Sequence, residues 1–345
     1  MYDKVLVTGS NGLVGQATVQ RLLRQGYDIR GLDLQATSST SGIEYRACDL
    51  REFSQLREAI VGCDAVVHLA ALPSPRLGDG PTIFEINVTG TYNLFEAAEQ
   101  EGITRVVQAS SMNAVGCTWN LGDFVPDYFP IDEDQTVTVS DPYSLSKHIS
   151  ETIGEYYWQR SGISGVALRM PGVLPEGAID SEHFSARLTE ARGFLDEFQR
   201  RRSREQQRLL AAVRERVLAF RATRGLEPDT ERSEPARAEL GEIPEELWEQ
   251  YMWQRFMLWA VVDVRDAAQA FVKSLDVEYA GAHNLWITDR VNSLGYDTRT
   301  LASLFFPDVT EWRENVSGAD GLISIRRARE LLNYEPEHSV ADLLR

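Results

Sequence analysis

The chain has 345 residues, of which 43% are hydrophobic, so it can bury a large core and is long enough for two domains or one domain with a sizeable insertion. The formal net charge of −17 argues against nucleic acid or an anionic membrane surface as a partner, because both select patches rich in Lys and Arg. No apolar run approaches the ~20 residues of a membrane span and no signal peptide precedes the first predicted strand, so we expect a cytoplasmic protein that does not enter a membrane.

The N-terminal segment predicts a strand, a glycine turn and a helix. Residues 5–7 are a short apolar run that is typical of a buried strand, and the predicted helix ends near Gln25. Between them, Gly9 suits a tight turn, Gly12 lets a pyrophosphate approach the backbone, and Gly15 allows the helix to pack on the strand. Because a helix N-terminus favours an anion, this order of elements predicts a dinucleotide site.

A second predicted strand at residues 28–32 ends at Asp33. A carboxylate at this position can accept hydrogen bonds from both ribose hydroxyls but would repel a 2′-phosphate. The sequence therefore favours NAD over NADP as the cofactor.

A third predicted strand, at residues 43–48, ends at Asp49 and Leu50. Because parallel strand ends line the ligand crevice, Asp49 is placed to bind the adenine amino group while Leu50 packs on the ring. The alternative is that Asp49 caps a helix that begins near Arg51, and both roles remain open.

Two further strands complete an alternating pattern. Residues 65–71 end in small side chains that permit close approach of the cofactor, and residues 105–109 end at Ser110 and Ser111 after a helix at residues 92–100. Strand and helix thus alternate five times with short links, which predicts a Rossmann-type, doubly wound parallel sheet covered on both faces. The crevice for the cofactor should lie at the carboxyl edge of this α/β sheet.

A predicted helix after Asp141 carries Tyr143 and Lys147 four residues apart, on one face. An ammonium group beside a phenol favours the phenolate, so we expect Lys147 to lower the pKa of Tyr143 and make it a general base. Ser111 lies at a strand end in the same crevice and can bind the substrate oxygen as charge develops there. Hydride would then pass between the substrate carbon and the nicotinamide.

These segments together resemble the extended short-chain dehydrogenases/reductases, the NAD-dependent epimerase/dehydratase group. The resemblance lies in seven ordered motifs, which are TGSNGLVG at Thr8, Asp33, DL at Asp49, HLAA at His68, NVTGT at Asn87, SS at Ser110 and YSLSK at Tyr143. It covers about residues 1–178 and resumes at 262–345.

The resemblance implies NAD as cofactor and a homodimer formed through a four-helix interface that includes the Tyr143 helix. It implies that Ser111, Tyr143 and Lys147 are catalytic. The implied cofactor-side positions are Gly9, Asn11, Gly12, Leu13, Gly15, Asp33, Asp49, Leu50, Leu69, Ala70, Ala71, Asn87, Tyr143, Lys147 and Pro171. We therefore predict an NAD-binding domain at 1–178 and a smaller substrate-binding part at 179–345, with a charged helical insertion at about 185–250.

Departures from the family pattern narrow the activity. Met112 and Asn113 replace the Asp-Glu pair of dehydratases, Gly172 replaces the asparagine of nucleotide-sugar enzymes, and Val115 replaces a tyrosine of many epimerases. We predict an NAD-dependent oxidoreductase or epimerase that acts at a secondary hydroxyl carbon of a sugar or sugar derivative. The alternatives are a nucleotide-sugar 4-epimerase and, from another class, a non-catalytic NAD-binding regulatory protein.

The insertion is charged but nearly balanced, with 13 arginines and 14 acidic residues over residues 187–250. Apolar residues at helical spacing predict one or two amphipathic helices, and residues 225–244 predict a loop. We interpret this segment as a solvated surface hairpin in preference to a lid or a dimer contact.

The second half also carries an aromatic cluster and three candidate substrate residues. The cluster is interpreted as core beneath the insertion rather than as a platform for a sugar ring, and it comprises Trp248, Tyr251, Trp253, Phe256 and Trp259. The substrate-side candidates are His183, Arg187 and Arg265.

The cysteines and histidines show no pattern of a metal or redox site. Cys48, Cys63 and Cys117 lack CxxC spacing, and an odd number suits reduced thiols in the core. The five histidines are scattered, so we predict no metal site.

Overall fold

The computed structural model describes residues 2–223, residue 237 and residues 239–344. Its central element is a seven-stranded sheet with the strand order β3-β2-β1-β4-β5-β6-β9, in which every pair of neighbours is parallel. β7 and β8 form a separate parallel pair. The strands are β1 (Lys4–Thr8), β2 (Asp28–Asp33), β3 (Glu44–Ala47), β4 (Ala65–His68), β5 (Val106–Ser111), β6 (Gly165–Met170), β7 (Gly172–Leu174), β8 (Val261–Asp263) and β9 (Ala282–Trp286).

Helices cover both faces of this sheet. They are α1 (Leu13–Arg24), α2 (Phe53–Ile60), α3 (Gly80–Phe84), α4 (Gly90–Gln100), α5 (Pro142–Ser161), α6 (Glu182–Arg200), α7 (Ser203–Thr223), α8 (Glu245–Glu249), α9 (Val264–Asp276), α10 (Thr298–Phe305) and α11 (Arg326–Leu332). On one face α1 packs on α9, and on the other α4 packs between α2 and α5. Separate apolar cores fill the two faces, because alternate residues of each central strand point to opposite sides.

The predicted doubly wound parallel sheet is therefore confirmed. The strand order reverses between β1 and β4, which creates the crevice where ligands bind in such sheets. The sequence placed the cofactor domain at residues 1–178, and the structure adds β9 and α9 from beyond that point to the same sheet and its covering layer.

The insertion forms two long helices, α6 and α7, as the amphipathic pattern predicted. Their apolar faces are buried in a core that also contains Phe129 and Trp286, so the interpretation of a merely solvated surface hairpin is wrong. Most of the predicted loop at 225–244 lies outside the described residues.

The aromatic cluster is core, as predicted, with one exception. Trp248, Tyr251, Phe256 and Trp259 are all buried. Trp253 packs against the same core but stays half-buried. It is therefore the member of the cluster that can still meet a ligand.

The three cysteines are free and buried, as predicted. Burial raises the pKa of the Cys48 thiol to about 11, so this group stays protonated near neutral pH. Within the part of the chain that the structure describes, no helix combines the length and apolar character that crossing a membrane requires.

Candidate active site

A cleft of about 1030 Å³ opens at the carboxyl edge of the sheet, around the crevice between β1 and β4. All of the predicted catalytic and cofactor residues except Asn87 line it. Those present are Gly9, Asn11, Gly12, Leu13, Gly15, Asp33, Asp49, Leu50, Leu69, Ala70, Ala71, Ser111, Tyr143, Lys147 and Pro171.

The glycine turn has the shape that a pyrophosphate requires. Gly9 has φ +67°, and a Cβ there would lie 2.7 Å from the backbone nitrogen of Ala70. A Cβ on Gly15 would lie 2.0 Å from the Gly9 carbonyl oxygen, so only glycine lets α1 approach the turn. A Cβ on Gly12 would meet only that oxygen, at 3.3 Å, and no side chain caps α1. The helix N-terminus is therefore open to an anion in the cleft.

Asp33 lies in the cleft beside this turn. Its carboxylate accepts hydrogen bonds from the backbone N–H groups of Asn11, at 3.1 Å, and Leu34, at 2.8 Å. These bonds fix the carboxylate at the end of β2, where it lines the cleft. The position agrees with the predicted preference for ribose hydroxyls over a 2′-phosphate.

Asp49 does not cap the helix that follows it. α2 begins at Phe53 with Glu52 in the N-cap position, whereas the Asp49 carboxylate accepts from the backbone N–H of Arg51 and pairs with its guanidinium at 2.7 Å. The Arg51 side chain lowers the pKa of Asp49 below its usual value. Asp49 and Leu50 line the cleft, so the adenine role stays a prediction.

Asn87 lies outside the cleft, in contrast to its predicted position on the cofactor side. Its buried side chain accepts from the backbone N–H of Leu72 at 2.8 Å and donates to the Leu72 carbonyl and to Ser146. Asn87 therefore fixes the segment after β4, which contains Ala70 and Ala71, rather than lining the cleft.

The proposed catalytic residues come together from β5 and α5. Asp141 caps α5 by accepting from the backbone N–H of Ser144 at 2.9 Å, which sets the start of the helix that carries Tyr143 and Lys147. Lys147 is buried and donates to the Ala109 carbonyl at 2.9 Å. Burial lowers the pKa of Lys147 to about 8, although the Glu151 carboxylate opposes this shift.

The pKa of Tyr143 shifts in the direction opposite to the one predicted. Burial raises the pKa of this phenol to about 12, and the Asp141 charge adds to the rise. The interaction that opposes the rise comes from the Ser111 hydroxyl rather than from the Lys147 ammonium group. Helical spacing placed Lys147 one turn from Tyr143 on α5 but could not show how deeply the phenol is buried.

The cleft is also lined by residues that the sequence did not identify as site residues, and we call the part that they form the substrate end. They are Arg76, Asn113, Thr118, Trp119 and Met257. Trp253 lies with them, although the sequence favoured a core position for it over a platform for a sugar ring. Asn113, two residues after Ser111, was visible only as a departure from the dehydratase pattern. The others come from segments whose sequence carries no recognisable motif for a binding site. Two of them are close together, because the Arg76 guanidinium lies 5.7 Å from the centre of the Trp119 ring.

The three substrate-side candidates from the sequence do not reach this cleft. His183 and Arg187 are exposed on α6. Arg265 pairs with Asp263 at 2.8 Å, at the start of α9. The location of these residues in the C-terminal part of the sequence did not indicate whether their side chains face the cleft. The prediction that they lie on the substrate side therefore differs from the structure.

One group of side chains outside the cleft could in principle ligate a metal. Within the described ranges, Asp266, Glu337 and His338 place potential ligand atoms within 4.8 Å of one another. Both carboxylate oxygens of Asp266 accept backbone N–H groups, from Glu337 and His338, at 2.9 Å each. This arrangement ties the C-terminal segment to α9, and we assign it no metal.

The fold and the cleft define a dinucleotide-dependent oxidoreductase of the Rossmann class. The defining features are a parallel sheet whose strand order reverses, a glycine turn at the crevice, and a tyrosine and a lysine that line the same cleft. The comparisons agree. The sequence model of the NAD dependent epimerase/dehydratase family matches residues 5–216. The chain belongs to this family.

Named relatives support the same assignment, and a solved structure shares the fold. L-arabinose 1-dehydrogenase (NAD(P)(+)) of Haloferax volcanii is 33% identical over 198 residues, which is 54% of this chain and 76% of that protein. NAD-dependent glucose-6-phosphate dehydrogenase of the same organism is 33% identical over 49% of this chain and 68% of that protein. A short-chain dehydrogenase/reductase superfamily protein from Agrobacterium tumefaciens, with bound NAD, shares the fold with a TM-score of 0.60, at 24% identity over 99% of this chain and 94% of that one.

The family and its named relatives show that the chain is an enzyme and that NAD is its cofactor. This outcome removes the alternative of a non-catalytic regulatory protein. The glycine turn, the open N-terminus of α1 and the Asp33 carboxylate fit this cofactor.

Proposed function

We propose that the enzyme transfers hydride between NAD and a secondary hydroxyl carbon of a sugar or sugar derivative. Tyr143 acts as the base, Lys147 contributes positive charge and binds the ribose, and Ser111 polarises the substrate oxygen. The observation that carries this proposal is that these three side chains line one cleft together with the glycine turn. The names of the two Haloferax volcanii relatives, both sugar dehydrogenases, support the substrate class.

The roles of the side chains follow from their surroundings. In the oxidative direction, Tyr143 takes the hydroxyl proton of the substrate while Ser111 donates a hydrogen bond to the same oxygen as the carbonyl forms. NAD, when bound, would supply the hydride acceptor and, in its oxidised form, a positive charge that would favour the Tyr143 phenolate against the effect of burial. Lys147 is held in place by the Ala109 carbonyl at 2.9 Å, so its ammonium group cannot move freely to solvent.

We further propose that the substrate is a sugar without an attached nucleotide. Nucleotide-sugar enzymes of the family usually have asparagine where this chain has Gly172. Here a Cβ on Gly172 would lie 3.0 Å from the terminal methyl of Met257, whose side chain lines the cleft. An asparagine here would require the Met257 methyl to shift, and Gly172 offers no amide to meet a diphosphate, which supports a nucleotide-free sugar over the substrate of a nucleotide-sugar 4-epimerase.

A substrate screen tests this activity. Purified enzyme is mixed with NAD and with free sugars, uronates, sugar phosphates or nucleotide sugars, and the absorbance of reduced nicotinamide is followed. Net accumulation with a nucleotide-free sugar is the expected result. Formation of an isomer of a nucleotide sugar without accumulation would instead establish the 4-epimerase alternative.

The Tyr143→Phe variant tests the proposed base. We expect kcat to fall at least about 100-fold, because the phenylalanine ring cannot accept the substrate proton. NAD affinity should stay within about threefold of the wild type, because the ring remains in place. Tyr334→Phe is the matched control, because Tyr334 is also buried but hydrogen-bonds the Thr288 carbonyl instead. Wild-type turnover in Tyr143→Phe would disprove the assignment of the base.

We propose that residues 1–178 bind NAD and carry the catalytic side chains, while residues 179–345 supply much of the substrate end. Trp253 and Met257, from the C-terminal side of the insertion, support this division because both line the cleft. Exchange of Trp253 for alanine should therefore raise KM for the sugar and leave NAD affinity unchanged.

We propose a homodimer formed through the outer faces of α4 and α5. Tyr92, Tyr156 and Trp158 are exposed there, at 42%, 45% and 37%. Tyr157 joins the two helices, because its ring centre lies 5.8 Å from that of Tyr92 and 5.0 Å from that of Tyr156. Exposed aromatic groups of this kind mark protein interfaces. Light scattering should give twice the protomer mass for the wild type. Trp158→Glu should have the mass of one protomer. A wild-type protein with the mass of one protomer would exclude the dimer.

We also propose a cytoplasmic location. Three free, buried thiols support it, because oxidised disulfides are the usual state of cysteine pairs in secreted proteins. Cell fractionation with antibody detection tests the proposal, and recovery of the protein outside the cytoplasm would refute it.

A further inference from the structure

The side chain of Asn113 connects the catalytic serine to the wall of the substrate end. Its Oδ1 accepts hydrogen bonds from the backbone N–H groups of Thr118, at 2.8 Å, and Trp119, at 3.1 Å. Backbone N–H groups can only donate, so the atom that faces them must be the amide oxygen. The amide nitrogen, Nδ2, therefore faces Ser111 and donates to its Oγ at 3.2 Å.

Ser111 Oγ accepts a second hydrogen bond, from the backbone N–H of Asn113, also at 3.2 Å. A hydroxyl group has two acceptor positions and one proton. Because Asn113 fills both acceptor positions, the Ser111 O–H can only be a donor to a third group. The Tyr143 phenol is such a group, since its interaction with the Ser111 hydroxyl opposes the rise of its pKa.

We propose that Asn113 is a positioning residue that points the Ser111 hydroxyl proton at the substrate oxygen. The inference rests on the proposed function of Ser111. A donor that is already oriented stabilises the charge that develops on the substrate oxygen without reorganisation during the reaction. Without the Asn113 amide, the hydroxyl could rotate and offer a lone pair to that oxygen instead.

The Asn113→Asp variant separates this role from a merely structural one. Aspartate keeps the side-chain shape and the oxygen that binds Thr118 and Trp119, but its carboxylate cannot donate to Ser111. It accepts the Ser111 proton instead and turns it away from the substrate. We expect kcat to fall about 100-fold, as for removal of an oxyanion-type donor. KM should change less than about threefold, because the lost interaction forms in the transition state.

The pH dependence of kcat distinguishes the two roles, because a merely structural role of Asn113 would leave it unchanged. A protonated carboxyl group can donate again, so the ratio of kcat in Asn113→Asp to kcat in the wild type should rise as the pH falls. A loss of kcat that is the same at every pH, or no loss at all, would overturn the proposal.

Asn120→Asp is the matched control, because it makes the same chemical change in the same loop. The Asn120 side chain donates to the Thr138 carbonyl at 2.6 Å and accepts from the Gly122 N–H at 3.1 Å. Its kcat should stay within about threefold of the wild type, with a ratio that does not vary with pH. A ratio that follows pH in the control as it does in Asn113→Asp would count against the proposal.

Neutron diffraction of deuterium-exchanged crystals tests the geometry without any turnover. The deuteron on Ser111 Oγ should point to the Tyr143 side of the cleft in the wild type and to the carboxylate in Asn113→Asp. A wild-type deuteron directed at Asn113 would overturn the inference. If the enzyme oxidised no sugar, the proposed function would fail, and the position of the deuteron would still decide the role of Asn113.

Discussion

Arg221, near the end of α7, offers a direct test of how the insertion supports the active site. The residue is fully buried. Its guanidinium donates to the carbonyls of Thr118 at 3.1 Å, Asn120 at 2.7 Å and Met252 at 3.1 Å, and it lies 3.3 Å from the centre of the Phe256 ring. One side chain of the insertion thus holds the loop that lines the substrate end.

Arg221→Met removes these donors while it keeps an unbranched apolar stem of similar length. A hydrogen bond that involves a charged group contributes about 1.5–3 kcal/mol, but three bonds from one group are not additive. Breaking a buried charged interaction costs about 3–5 kcal/mol in other proteins, and methionine also removes the cost of burying the charge. We therefore expect the free energy of unfolding to fall by about 3 kcal/mol, at the lower end of that range.

Urea unfolding measures this change as a lower midpoint with an unchanged slope. The control is Arg204→Met on the same helix, where the side chain is exposed and the expected change is within about 0.5 kcal/mol. KM for the sugar should also rise in Arg221→Met, since the Thr118 carbonyl loses a donor. A loss of less than about 1 kcal/mol would refute the reasoning that this guanidinium anchors the loop.

Two further predictions concern the cofactor end. Gly15→Ala should unfold at a clearly lower temperature, because its Cβ would lie 2.0 Å from the Gly9 carbonyl oxygen. In Gly12→Ala the Cβ would lie 3.3 Å from the same oxygen, so this variant should keep its melting temperature. It should nevertheless bind NAD at least about tenfold more weakly, as measured by calorimetry. The pKa of Lys147 is about 8 in the folded protein, against 10.5 for an ordinary lysine. Between these two pH values the folded state binds fewer protons than the unfolded state. The free energy of unfolding therefore rises with pH in this range. The unfolding free energy of the wild type relative to Lys147→Met should thus increase by about 2.5 kcal/mol from pH 7 to pH 10, and a difference that stays constant would contradict the lowered pKa.

The cofactor end could be predicted from the sequence because its geometry is local. A strand, a glycine turn and a helix fix the positions of Gly9, Gly12 and Gly15 relative to one another within a dozen residues. The rule that parallel strands present their carboxyl ends at one edge then brings Asp33 and Ser111 to the same crevice. Only Asn87 deviates, because its amide is used by the backbone of Leu72.

The substrate end could not be predicted in the same way because it depends on contacts between distant segments. Arg221 binds Thr118 across 103 residues of sequence, and no period or spacing indicates that pairing. For His183 and Arg187, which are exposed, the sequence offers only a location in the second half of the chain. The pKa of Tyr143 is a similar case, because it depends on burial by the whole fold rather than on the neighbouring Lys147.

The turn that follows Met257 is held in a strained backbone conformation. Leu258 and Trp259 follow Met257 directly and have φ of 53° and 49°, in the left-handed region that non-glycine residues avoid at a cost of about 1–3 kcal/mol each. The surrounding packing offsets this cost, since the Trp259 ring is buried and donates to Gln250 at 2.7 Å. Met257 lies directly before this turn and lines the cleft, and its terminal methyl would be 3.0 Å from a Cβ on Gly172. This part of the cleft wall therefore depends on packing outside the dinucleotide motifs.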